Sequence, residues 1–173
     1  MHNMILQPTL KGKLVLLRPL KESDLEPLYE VAKDPLIWEQ HPCPTRYQRA
    51  EYEAFFKDSL DSQGALIVID AASDQVIGSS RFNPIERHSN AVEIGWSFLA
   101  RKYWGGKYNR AVKKLMISHA LETLDCVIFY IGRDNVRSQK AVEKLGAIKI
   151  IDSLNPLMKI SDIDITYKIS SQI

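Results

Sequence analysis

Glu93-Ile94-Gly95-Trp96-Ser97-Phe98-Leu99-Ala100-Arg101-Lys102-Tyr103-Trp104-Gly105-Gly106-Lys107-Tyr108-Asn109 is the stretch whose reading decides the fold. Residues 92–99 read as a strand. Residues 101–109 form a glycine-centred, basic and aromatic turn. Beyond it Ala111, Val112, Leu115, Met116 and Ala120 fall on one helical face. A strand therefore feeds a glycine turn, and the turn feeds a helix. Unpaired N–H groups at a helix N-terminus, with the positive end of its dipole, favour an anion. Glycines let a phosphate approach the backbone with no Cβ in the way. Arg101, Lys102, Lys107 and Arg110 add point charges suited to phosphate. A plain tight turn with solvated lysines fits the same pattern, so the turn alone leaves both readings open.

Upstream, residues 66–69 and 76–82 are hairpin partners around the turn Ala72-Ser73-Asp74, and 92–99 completes a three-stranded meander. Before them, residues 13–18 form a short strand stopped by Pro19. Ser23 and Asp24 are placed to cap a helix bearing Leu25, Leu28, Tyr29 and Ala32. Pro35, Pro42 and Pro44 mark an irregular stretch, and a second helix runs from Ala50 to Leu60. Downstream, Val127-Ile128-Phe129-Tyr130-Ile131 is the continuous apolar run of a strand covered on both faces. Asn135 is placed to cap a helix carrying Ala141, Val142 and Leu145, which Gly146 stops. Residues 148–151 and 163–169 supply two closing strands. This order predicts a mixed α/β domain with one central sheet, and its antiparallel meander argues against a fully parallel Rossmann sheet.

Composition narrows the function classes. The 173 residues are 45% apolar and 25% charged, as in an ordinary globular chain, and are read as one domain over 1–173. Twenty-three Lys and Arg against 21 Asp and Glu leave a formal charge of +2, which gives no electrostatic case for nucleic acid. No apolar run approaches the roughly 18 residues of a membrane span. The first residues lack the pattern of a secretory signal, so the expected place is the cytoplasm. Cys43 and Cys126 have no metal-ligand spacing and are expected to be buried free thiols. Walker A and dinucleotide fingerprints are missing, since neither Gly-x-x-x-x-Gly-Lys-Ser/Thr nor Gly-x-Gly-x-x-Gly occurs. No Gly-x-Ser-x-Gly elbow occurs either, and neither cysteine has an evident activating base.

Several pieces in sequence order carry a family likeness over nearly the whole chain. They are Leu10-Lys11-Gly12-Lys13-Leu14-Val15-Leu16-Leu17-Arg18-Pro19-Leu20 with Ser23-Asp24, Val76-Ile77-Gly78, Val92-Glu93-Ile94-Gly95-Trp96, Tyr103-Trp104-Gly105, Asn135-Val136-Arg137-Ser138 and Glu143-Lys144-Leu145-Gly146-Ala147. Together they resemble the GNAT superfamily of acetyl-CoA-dependent N-acyltransferases, in particular the branch containing ribosomal-protein N-terminal acetyltransferases. The resemblance implies a central, mostly antiparallel sheet, splayed between its fourth and fifth strands, with helices on both faces. It also implies that the glycine turn holds the pyrophosphate of coenzyme A, through Lys102, Trp104, Gly105, Gly106, Lys107, Tyr108 and Asn109. The family pattern is Gln/Arg-x-x-Gly-x-Gly/Ala. Here Lys102 and Gly105 stand at its first two fixed positions, and Lys107 replaces the last small residue. The pantetheine arm would enter the splay beside Phe98 and Leu99, with Asn135 hydrogen-bonding it or simply capping its helix.

Acyl transfer to an amine needs a neutral nucleophile, a polarised carbonyl and a proton for the departing thiolate. The resemblance makes Glu93 the candidate base, against a plain surface carboxylate. It places the carbonyl donor among the backbone N–H groups near Phe98 or Leu99. The tyrosine many members carry seven residues after the asparagine falls on Val142. The N-terminal-acetylating branch has a serine three residues after it, which is Ser138 here, with Tyr130 as a fallback. Residues 38–42 and Arg46-Tyr47 match the acceptor wall. The expected activity is transfer of acetyl from acetyl-CoA to an amine acceptor in a ternary complex, without metal, by a monomer or homodimer. The other readings are a catalytically silent acyl-CoA-binding module and a nucleotide-phosphate binder.

Overall fold

Alternation along the strands sorts the apolar residues into two main cores, one on each face of a single sheet. The computed structural model describes residues 4–85, 90–151, 157 and 164–170. The strands are β1 (Leu10–Lys11), β2 (Val15–Pro19), β3 (Ala65–Asp70), β4 (Val76–Pro84), β5 (Ala91–Leu99), β6 (Cys126–Gly132), β7 (Ile148–Lys149) and β8 (Asp164–Ser170). The helices are α1 (Leu25–Ala32), α2 (Arg49–Asp61), α3 (Lys107–Leu121) and α4 (Val136–Glu143). The sheet runs β1-β2-β3-β4-β5-β6-β8-β7, antiparallel throughout except for the parallel β5–β6 pair.

On one face Leu28, Val31 and Ala32 of α1 and Tyr52, Phe55 and Phe56 of α2 pack against Ile67, Ile69 and Phe98. On the other, Val112, Met116 and Ala120 of α3 and Val142 of α4 cover Val92, Ile94, Val127 and Phe129. This is the mixed α/β architecture, with helices on both faces, that the sequence predicts. Among the described residues no helix is long and apolar enough to cross a membrane.

Local differences have local causes. Pro19 closes the pairing of β2 with β3, opposite Leu66, instead of stopping short of it. Asp24 does not cap α1 through its side chain. A 3-10 turn at Glu22–Asp24 precedes the helix, and the Asp24 carboxylate reaches back to accept from the Lys21 amide at 2.9 Å. The same carboxylate takes both arms of the Arg18 fork at 2.8 Å. α3 begins at Lys107 rather than Ala111, because Gly106 at φ +111° lets the chain enter the helix directly from the turn. Residue 163, expected in the last strand, lies outside the described residues. Cys126 is buried, but Cys43 is only half-buried.

The feature that positions the site is a bulge. Ser79 pairs with Phe98, yet Arg81 pairs with Gly95, so Trp96 and Ser97 together oppose Ser80. Trp96 takes up the extra residue at φ +51°, a conformation that costs a non-glycine residue about 1–2 kcal/mol. Its ring lies 3.8 Å beneath the guanidinium of Arg81, which in turn bonds the Asp58 carboxylate at 2.6 Å. Below the bulge β5 pairs with β6 at Ala91–Cys126, Val92–Val127 and Glu93–Ile128. Past those pairs residues 94–99 and 129–132 part and leave a slot. Because the Ala100 amide donates to Ile77 O at 2.8 Å, the ladder alternation ties Phe98 to β4 and turns the backbone of Leu99 toward the slot.

Gly78 supports this geometry from β4, since a Cβ there would sit 2.0 Å from Phe98 O, whereas one at Gly105 would meet nothing within 4 Å. Gly78→Ala is expected to lower the unfolding free energy by about 1–3 kcal/mol through overpacking. Gly105→Ala should cost only the backbone strain of φ +95°, on the order of 1 kcal/mol. Urea denaturation of both variants checks the ranking, and a larger loss at Gly105 would contradict it.

Candidate active site

A cavity of about 650 Å³ occupies the slot. Ser97, Phe98 and Leu99 of β5 form one wall, and Asn135, Ser138, Ala141 and Lys144 at and along α4 form the other. The glycine turn closes one end with Trp104, Gly105, Gly106, Lys107 and Asn109. Ile37, Trp38 and His41, from the connection between α1 and α2, contribute to the lining as well.

Gly105 and Gly106 sit at φ +95° and +111°, with open space where side chains would be. Their peptides lead straight into the first turn of α3, whose free N–H groups and dipole attract an anion. Lys107, Arg110, Lys140 and Lys144 line the same cavity, so cations from two helices face it. Eight of the ten residues expected to hold a cofactor are brought together there: Phe98, Leu99, Trp104, Gly105, Gly106, Lys107, Asn109 and Asn135. Lys102 and Tyr108 are not. Lys102 reaches Gln75 Oε1 at 3.4 Å, and Tyr108 packs on Tyr103 and donates to Asp70 at 3.4 Å. Both therefore brace the turn against the β3–β4 hairpin.

Asn135 Oδ1 accepts from the Ser138 amide at 3.1 Å and so caps α4. The bond engages the backbone of Ser138 and leaves the serine lining the cavity from the first helical turn. Arg137 was not singled out from the sequence. It lays its guanidinium 3.9 Å from the Trp104 ring centroid and donates to Ile37 O at 3.3 Å, joining α4 to the glycine turn and to the α1–α2 connection.

Glu93 stands at the last position where β5 pairs with β6, and its carboxylate accepts from Asn83 Nδ2 at 3.0 Å. It lies over Gly95, on the face opposite Val92 and Ile94, so it faces the side of the sheet that α1 and α2 cover. It does not line the cavity itself. Tyr130 also lies outside it, donating to Leu157 O at 3.0 Å. The Tyr130 phenol is pushed up, first by burial and then by the Glu93 charge.

Of the expected acceptor wall, Trp38 is buried against Phe98 at 4.9 Å and fixed by its indole N–H on Ala32 O at 2.7 Å. His41 Nδ1 accepts from the Cys43 amide at 2.9 Å, and Arg46 lies 3.2 Å from its Nε2. Burial, then the Arg46 charge, push the His41 pKa down to about 4, so its imidazole is neutral at pH 7. His119, by contrast, serves packing: it meets Ile5 O at 2.8 Å and lies beside Phe82. His88 lies outside the described residues.

Comparison with known proteins agrees with this geometry. No curated protein matches the sequence. The fold resembles a GCN5-related N-acetyltransferase from Brucella melitensis, with a TM-score of 0.79 and 18% identity over 95% of this chain and 79% of that one. It also resembles a Vibrio cholerae protein for which ribosomal-protein-serine acetyltransferase activity has been proposed, with a TM-score of 0.74 and 15% identity over 96% and 99% of the two chains. A third likeness is to the Vibrio cholerae spermidine N-acetyltransferase, solved with CoA and spermine, with a TM-score of 0.63 and 15% identity over 91% and 94%. At such identities these structures speak for the fold. The family model described as "Acetyltransferase (GNAT) domain" matches residues 15–148, most of the chain and every wall of the slot, and on that match this protein belongs to the GNAT acetyltransferase family.

Proposed function

We propose that the protein is an acetyl-CoA-dependent N-acetyltransferase, a single domain over residues 1–173, that passes acetyl directly to a primary amine in a ternary complex. The observation that carries this reading is the continuous slot from the glycine turn to the bulge. An anion site marks one end, and exposed backbone of β5 lies along the side. The residues fit coenzyme A. Gly105 and Gly106 leave the open cradle a pyrophosphate needs, and Lys107, Arg110, Lys140 and Lys144 supply cations around it. Leu99 offers its backbone N–H to an extended pantetheine arm in the manner of an added strand, while its carbonyl accepts from the Trp104 indole at 2.9 Å. Bound acetyl-CoA would supply an activated thioester. The chain's own residues orient it, receive the amine and manage two protons.

Glu93 is the base in this reading, directly or through water, because it lies just outside the cavity, at the last β5–β6 pair, on the face that carries Trp38 and His41. The backbone N–H of Leu99 is the candidate donor to the carbonyl oxygen. Ser138, on the opposite wall, assists departure of the thiolate with a hydrogen bond. The acceptor class is a primary amine on a protein N-terminus or a small molecule.

The cofactor assignment is tested by thermal stability. Acetyl-CoA at 100 times its dissociation constant should stabilise the fold by about 2.7 kcal/mol. A melting temperature unmoved by acetyl-CoA but raised by a nucleotide would overturn the assignment. A panel of amines with thiol release as the signal then identifies the acceptor.

Glu93→Gln should reduce kcat/KM by roughly 10²–10⁴-fold. The loss should be steepest at low pH, where an α-amine of pKa about 7.7–8.0 arrives protonated and most needs a base. A pH–rate profile unchanged from wild type would return Glu93 to a purely structural role beside Asn83.

Ser138→Ala should lower kcat while acetyl-CoA affinity holds, since the hydrogen bond matters chiefly in the transition state. A variant that melts earlier yet turns over normally would mean that Ser138 serves α4 alone.

A further inference from the structure

Lys113 lies on the face of α3 turned toward the sheet, beside Val112 and Met116, and is only 5% exposed. An ammonium buried there costs several kcal/mol unless it is hydrogen-bonded and charge-balanced. Its Nζ donates to Ser97 Oγ at 2.5 Å and lies 5.5 Å from the Phe129 ring centroid. Ser97 and Phe129 are both past the last paired residues of β5 and β6, so Lys113 sits where the two strands part. Ser97 Oγ in turn lies 2.7 Å from Ser80 Oγ and donates to Gly95 O at 3.2 Å, so the bulge itself holds this hydroxyl, which must turn from that carbonyl to reach an occupant of the cavity. Of the groups around the ammonium, Ser97 lines the cavity.

The charged group that faces Lys113 from the sheet is Glu93 of β5, acting from the far face. Ser80 of β4 is neutral, and Tyr130 of β6 is turned toward Leu157. Burial pushes the Lys113 pKa down to about 7, and Glu93 opposes that fall. Near neutral pH both forms of the amine are therefore accessible, which is what a proton carrier requires.

We propose that Ser97 and Lys113 form the proton relay for the leaving sulfur. Ser97 is the catalytic donor in the cavity, and Lys113 is the positioning residue that restores its proton. The relay rests on the coenzyme A reading above. As the acceptor nitrogen bonds to the acetyl carbon and the carbon–sulfur bond breaks, the electron pair of that bond stays on sulfur. The Ser97 hydroxyl proton passes to sulfur and a Lys113 Nζ proton passes to Ser97 Oγ. Lys113 is left as a neutral amine. It regains a proton from solvent, to which the acetylated nitrogen releases its own. Ser138 hydrogen-bonds the same sulfur from the other wall, whereas the proton that the sulfur takes up comes from Lys113 through Ser97.

The thiol of bound coenzyme A reports this relay without any acceptor. The whole protein saturated with coenzyme A is titrated through the neutral and alkaline range, following thiolate absorbance in the ultraviolet. Wild type is expected to show thiolate absorbance in two steps, the first near neutral pH where the thiol and Lys113 share one proton and the second in the range of free coenzyme A. Lys113→Met, close in volume and uncharged, should return the thiol to its free value with coenzyme A affinity little changed. Ser97→Ala keeps the ammonium but cuts the link and should diminish the first step, so it decides the matter if Lys113→Met does not fold. A thiol that titrates alike in wild type and in the folded variants overturns the relay. Failure of wild type to bind coenzyme A overturns the cofactor reading instead, and the relay with it.

Discussion

β4 sets one residue, Ser80, against two of β5, and much of the molecule follows from that mismatch. A strand with an extra residue must bend, and here it bends away from β6 after only three shared pairs. Without the bend β5 and β6 would pair along their length and there would be no slot. The strain of Trp96 is offset by neighbours that recruit the rest of that face. The ring stacks under Arg81, Arg81 reaches Asp58 on α2, and Phe98 one turn of the ladder further on packs into Trp38. The α1–α2 layer is thus coupled to the sheet at the place where the sheet opens.

The slot has two chemically different ends. At the glycine turn, backbone donors and lysine and arginine side chains face solvent, an arrangement that suits a doubly charged diphosphate. At the bulge the lining turns aromatic, with Trp38, Phe98 and a neutral His41, and the charges nearby, Arg81 with Asp58 and the buried Lys113, are each held in contacts of their own. A long ligand that is anionic at one end and reactive at the other would find its orientation dictated by this gradient before any specific contact forms.

Element order was legible because residues 66–69 and 127–131 are continuous apolar runs of strand length, residues 92–95 alternate, and α3 keeps a period of 3.6. The bulge was not, since Trp96 is a residue that strands favour and its positive φ shows only in the pairing register. The glycine turn was legible as a turn that feeds a helix, but which of its side chains line the cavity was not. Lys102 and Tyr108 are drawn away by Gln75 and Asp70, some thirty residues earlier in the chain. Asn135 was legible as the cap of α4, and both it and Ser138, which the resemblance supplied, line the cavity. Lys113 escaped notice because one of two adjacent lysines on an amphipathic helix reads as solvated. Its position three residues before the buried Met116 was the available signal.

Arg137 ties two sides of the site together rather than merely lining it, stacked on Trp104 of the glycine turn while rooted in α4. A cation on an indole is worth about 0.5–2 kcal/mol, depending on how much water is excluded. That is small against the affinity of a whole cofactor but comparable to a tenfold change in a rate. The contact hangs on one side chain, so a rotation of Arg137 is enough to break it while the helix and the turn that it joins stay where they are.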